Sequence, residues 1–135
     1  MVVLVACLLT ACQRTKIEPV DIAGDDMCSF CRMAISEKRY AVEFLNKDAA
    51  VFKFDDAGCM VNYIKRQVRR QDVLASFVVD YETRRWLRAE DAYYVRSVQI
   101  KTPMGGGIIA FADKEQAASA ASRYQGQRMR FDGLF

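Results

Sequence analysis

Val51-Phe52-Lys53-Phe54-Asp55-Asp56-Ala57 and Ile108-Ile109-Ala110-Phe111-Ala112-Asp113-Lys114 read alike. In each, a short run of β-formers passes into an aspartate and then into helix-forming sequence. Valine, isoleucine and phenylalanine suit a pleated backbone, and an aspartate ahead of a helix accepts amide protons that the first turn leaves unpaired. After the first copy, Met60, Ile64 and Val68 recur at the spacing of one helical face, which predicts a helix from Asp55 or Asp56 through about Arg70. After the second, Asp113 caps an alanine-rich helix reaching Tyr124, and Gly126 ends it. Upstream, residues 39–45 alternate and Asn46-Lys47-Asp48 suits a turn. Residues 50–54 then complete a hairpin. Further strands are expected at 76–81, 84–87 and 108–111, with a short one at 129–131. One helical turn at 89–92 leads into extended sequence at 93–100, and Pro103 with Gly105-Gly106-Gly107 breaks the chain. The fold class expected is α+β, built from two similar strand-helix units.

Composition narrows the function. The chain has 135 residues, 52% hydrophobic and 27% charged, which fits one compact domain or two very small units sharing a core. The net charge is +3. Its basic bursts are Lys65-Arg66 with Arg69-Arg70 and Arg84-Arg85 with Arg88, and acidic residues (Asp55, Asp56, Asp80, Glu82, Glu90 and Asp91) are interspersed along the chain. The bursts read as solvated faces, and nucleic acid is not an expected partner. Histidine is absent, which removes the commonest catalytic base and the commonest zinc or copper(II) ligand.

The beginning of the chain reads as an address. Residues 2–9 are apolar and run into Leu9-Thr10-Ala11-Cys12, an ending that resembles a bacterial lipobox. Residues 1–11 are then a lipoprotein signal peptide. Cys12 is the site of lipid attachment, where two acyl chains give stable anchoring. No Lys or Arg precedes the apolar run, so the true start is expected upstream. Residues 12–26, polar and irregular with Pro19 and Gly24, read as an acylated N-terminus and flexible tether. The protein is thus expected to be exported and anchored to a membrane.

Cysteine chemistry remains. With Cys7 and Cys12 assigned to export, Cys28, Cys31 and Cys59 are left. Cys28 and Cys31 are separated by two residues, and Met27 and Met33 flank them. Thiolate and thioether are soft donors that favour copper(I), whereas zinc more often takes four Cys or His donors. Three readings stay open on the residues alone: a local disulfide or buried thiol pair, a redox centre, and a metal site. Against a thioredoxin-like centre, no strand precedes Cys28 and no long helix pattern follows Cys31, although Thr102-Pro103 is a conceivable counterpart. Met104 lies in a glycine-rich loop and is a candidate further thioether. Cys59, beside the core-facing Met60, reads as a small buried hydrophobe, and Met129 as packing in a terminal strand.

Met27-Cys28-Ser29-Phe30-Cys31-Arg32-Met33 with Ile35, the lipobox, and Thr102-Pro103-Met104-Gly105-Gly106-Gly107-Ile108-Ile109-Ala110-Phe111-Ala112-Asp113-Lys114 together resemble the NosL family, lipoprotein accessory proteins of nitrous oxide reductase. The resemblance implies two small ββαβ-like units, about 27–72 and 73–135, in a copper-binding domain spanning 27–135. It implies a copper(I)-binding metallochaperone, not an enzyme. The expected recipients are apo-nitrous oxide reductase, a related exported copper enzyme or their maturation proteins. By position, Cys31 and Met33 match the family's Cys-x-Met core, and Met104 its Pro-Met-Gly methionine. Cys28 occupies a place where only some members carry cysteine. It stands in for the histidine that often contributes to copper binding in such proteins. The alternative function is a membrane-tethered thiol-disulfide oxidoreductase using Cys28 and Cys31.

Overall fold

The structure is a computed structural model and describes residues 17–135. The hairpin comes first, with β1 at Val42–Asn46 and β2 at Val51–Phe54, followed by helix α1 at Ala57–Gln67. Strands β3 (Val73–Val79) and β4 (Trp86–Arg88) complete a four-stranded antiparallel sheet in the order β2-β1-β3-β4. Strands β5 (Tyr93–Arg96) and β6 (Ile108–Phe111), helix α2 (Lys114–Arg123) and strand β7 (Gln127–Met129) form the second unit, its sheet ordered β6-β5-β7. The two units share one plan. The first strand is central, the second and third flank it, and the helix lies between them in sequence. The echo between 51–57 and 108–114 therefore marks equivalent corners, each a strand entering an aspartate-capped helix.

Two expectations need correction. A division near residue 72 would assign β3 to the second unit, yet β3 is hydrogen-bonded to β1 along its length. The first unit therefore runs through β4. Nor are residues 17–26 a free tether. Val20 N–H donates to Glu43 Oε1 at 2.8 Å, the Lys53 ammonium donates to the Asp21 carbonyl at 2.8 Å, and the Trp86 indole N–H donates to Asp21 Oδ1 at 3.0 Å. Ile22 is buried, and Ile17 packs beside Trp86 on Leu45, Ala75 and Phe77. The segment is a strap over one face of the first sheet. The remainder of the expected tether, with Cys12 and the signal peptide, lies outside the described residues.

The other face carries the main core. Val42, Phe44, Phe54 and Val78 meet Ala57, Met60, Val61 and Ile64 of α1. Phe44 stacks on Phe52 and Phe54 with ring centres 4.8 and 5.6 Å apart. The predicted face of α1 is confirmed at Met60 and Ile64. The helix stops at Gln67 because Val68 is already extended. Tyr94, Ile108 and Ala110 of the second sheet enter this same core, while Val95, Ile109 and Phe111 on its far face pack on Ala117 and Ala120 of α2. Asp80 joins the sheets. Tyr81 N–H donates to the Ala110 carbonyl at 2.8 Å, and the buried Asp80 carboxylate accepts from the amides of Ala112 and Thr83. The units are thus locked into a single body, and the loop before β6 comes to lie against the start of α1.

Candidate metal centre

The centre is built at the junction between β2 and α1. Ser29 N–H donates to the Lys53 carbonyl at 2.7 Å, hanging the cysteine loop on the outer edge of β2. That loop closes on itself. Cys28 N–H donates to the Met33 carbonyl and Arg32 N–H to the Cys28 carbonyl, with Arg32 in the left-handed region at φ 66°. A bridge between Met27 and Ala34 seals its base. Just past the end of β2, Asp56 caps α1 by accepting from Cys59 N–H at 2.9 Å, so Cys59 sits in the first turn facing the loop.

The result is a cluster. The sulfurs of Cys28, Cys31 and Cys59 and a carboxylate oxygen of Asp55 all lie within 4.8 Å of one another. Cys28, Cys59 and Asp55 are buried and Cys31 is half-buried, which gives the group one way out to solvent. Cys31 Sγ is 3.3 Å from Asp55 Oδ2, the thiol donating to the carboxylate. Asp55 Oδ1 is buried and has no hydrogen-bond partner among the described residues. A buried carboxylate that joins three sulfurs and leaves one oxygen without a partner is costly without a cation and suits one.

Electrostatics divide the three thiols. The Cys59 thiol donates to Cys28, and the amides of Cys31, Asp55 and Phe30 add to it, so burial is outweighed and Cys28 is lowered to about 6. Cys31 is raised to about 11, chiefly by burial and then by the neighbouring Cys28 and Asp55. Cys59 is raised as well, by its donation to Cys28, by burial and by the neighbouring Asp55 carboxylate. In the metal-free centre the electrostatics thus favour a thiolate at Cys28 and protonated thiols at Cys31 and Cys59. A soft cation entering it displaces protons from Cys31 and Cys59.

Of the residues singled out in the sequence, Cys28 and Cys31 are brought together here. Met33 is 55% exposed on the cysteine loop, and Met104 is 45% exposed on the 102–107 loop. Both residues stand at the surface. Cys12 lies outside the described residues. Sequence reasoning missed Cys59 as a member and treated Asp55 only as a possible cap. The signal was a cysteine three residues after a capping aspartate, the position whose amide the cap holds. The equivalent corner of the second unit has Ala112 for Asp55 and Gln116 for Cys59, and so carries no such chemistry.

The model of the NosL family matches residues 19–134. The copper-binding lipoprotein NosL of Stutzerimonas stutzeri is 28% identical over 151 residues, covering 99% of this chain and 77% of that protein. The crystal structure of the copper chaperone NosL from Shewanella denitrificans superposes with a TM-score of 0.77 at 23% identity, covering 85% of this chain and 93% of that one. That likeness shows a shared fold, and here it is the α+β fold expected from the sequence, with two small antiparallel sheets and two helices.

Proposed function

The chain belongs to the NosL family, and on that premise we propose that it is an exported, lipid-anchored copper(I) chaperone. Its cargo is held by Cys28, Cys31 and Cys59, with Met33 and Met104 as further thioether ligands from the two loops beside them. The observation that carries the reading is the convergence of three sulfurs and an Asp55 carboxylate oxygen within 4.8 Å at the start of α1, on a carboxylate whose Oδ1 is buried and unpartnered among the described residues. Soft thiolates select copper(I) over hard cations, and a site of few sulfurs with one open side releases its ion by ligand exchange. The Stutzerimonas stutzeri relative is named a copper-binding lipoprotein and the Shewanella denitrificans structure a copper chaperone, which supports the same cargo for this chain.

Anchoring falls to Cys12, and the recipient is apo-nitrous oxide reductase, a related exported copper enzyme or a maturation protein serving it. The competing oxidoreductase reading meets an obstacle. Its low-pKa thiol, Cys28, is fully buried, so a protein disulfide has no approach to the group that would attack it.

The test is transfer. Copper(I)-loaded protein mixed anaerobically with apo-nitrous oxide reductase should lose its metal to the enzyme, and a Cys31→Ser variant should carry none to give. Retention of copper(I) by the chain through repeated mixing, or turnover of a model disulfide by copper-free protein, would contradict the proposal.

A further inference from the structure

Asp56 is a fully buried carboxylate that the chemistry of the thiol cluster does not use. Its Oδ1 caps α1 through Cys59 N–H at 2.9 Å. Its Oδ2 accepts from Thr102 Oγ1 at 2.7 Å and from Met104 N–H at 3.1 Å. One carboxylate therefore bridges the backbone amide of a thiol residue in the first unit and that of a thioether residue in the second. Thr102 Oγ1 in turn accepts from Gly107 N–H at 3.2 Å, closing the loop around this contact. Helix and loop also touch through bare backbone. A Cβ on Gly106 would stand 3.1 Å from the Gly58 Cα, and a Cβ on Gly58 would stand equally close to the Gly106 Cα. At the equivalent corner of the second unit, Asp113 is exposed and caps α2 through Gln116.

We infer that Asp56 and Thr102 are positioning residues, a clasp that fixes the 102–107 loop on the start of α1 and so sets Met104 at the mouth of the thiol cluster. The inference rests on the copper(I) reading given above. A capping aspartate needs only one oxygen, and an exposed methionine in a glycine-rich loop has little apolar surface to hold it in place. The second oxygen and the paired glycines supply that restraint. Groups that orient metal ligands without touching the ion tune affinity by stiffening the site.

The test uses full-length, detergent-solubilised protein. Copper(I) affinity is measured by chelator competition, and the number of sulfur neighbours by copper X-ray absorption. Met104→Leu keeps the bulk and removes the thioether, and should weaken binding roughly tenfold while removing one sulfur from the copper shell. Thr102→Val and, independently, Gly106→Ala leave every thiol and Met104 in place, yet each should reproduce most of that loss and the same missing sulfur. Combining Thr102→Val with Met104→Leu should cost no more than Met104→Leu alone, because the first acts through the second. Wild-type affinity in Thr102→Val beside a weakened Met104→Leu overturns the clasp and leaves the copper site standing. Additive losses in the double variant also overturn it. A Met104→Leu protein at full affinity overturns both the clasp and the thioether assignment. Full affinity in Cys31→Ser overturns the copper reading itself.

Discussion

Replacing Glu43 by glutamine should make the protein more stable at alkaline pH and leave it little changed in mild acid. Glu43 lies fully buried near the start of β1, opposite Lys53 of β2 and Phe77 of β3, under the strap. Its Oε1 accepts from Val20 N–H, but Oε2 is buried with no partner among the described residues. Burial pushes the carboxyl up to about 7 from an ordinary 4.5, against the opposing pull of Val20 N–H and Lys53. The folded value exceeds the unfolded one, so the folded state binds the extra proton between about 4.5 and 7. Stability contributed by that proton is whole below the unfolded value, declines through this window and is gone above about pH 7. The displacement corresponds to about 3 kcal/mol. The Glu43→Gln side chain keeps the shape and the acceptor for Val20 without the charge, and one unpaired amide proton offsets about 1 kcal/mol of the gain. The expected net effect at about pH 8.5 is therefore about 2 kcal/mol of added stability. Urea unfolding of reduced, copper-free protein at about pH 5 and about pH 8.5, followed by circular dichroism, measures it. The quantity to compare is variant minus wild type, because the lowered Cys28 thiol gains stability over an overlapping range as pH rises. Equal effects of Glu43→Gln at both pH values, or a loss at the alkaline one, would refute the argument.

Two further outcomes follow from the same geometry. Gly107→Ala should destabilise by about 1–3 kcal/mol, read by thermal unfolding, because φ is 64° there and a Cβ would collide with the Ser97 carbonyl oxygen. Cys59→Ala removes the thiol that donates to Cys28, so the thiolate absorbance of copper-free protein, which should rise near pH 6 in the wild type, should shift toward the ordinary cysteine range.

The fold was legible where chemistry is local. A run of β-formers, an aspartate and a helical stripe of Met60 and Ile64 announce a strand-to-helix corner without knowledge of its surroundings, and both corners were read from their residues. The strap was not legible, because Ile17, Val20 and Asp21 look like linker until Glu43, Lys53 and Trp86 lie beneath them. The division near residue 72 failed for a similar reason. The partner of Val73–Val79 is β1, some thirty residues earlier, and turn signals carry no record of register. At the centre, Cys28 and Cys31 are neighbours in sequence and could be found by spacing. Cys59 and Asp55 join them only because Ser29 pins the cysteine loop to β2 and Asp56 turns the first turn of α1 toward it. Beside Met60, a cysteine of that kind looks like core, and it is buried as core is. What distinguishes it is the company of an unpartnered carboxylate oxygen.

The most direct measurement is an anaerobic copper(I) titration of reduced protein against a chromogenic chelator, with thiolate-to-metal absorption followed in parallel, on the wild type and on Cys28→Ser, Cys31→Ser and Cys59→Ser. One tightly held copper(I) per chain is predicted, with absorption saturating at that ratio and with each substitution reducing both affinity and absorption. Undiminished binding in Cys59→Ser and Cys31→Ser together would contradict a centre formed at the start of α1.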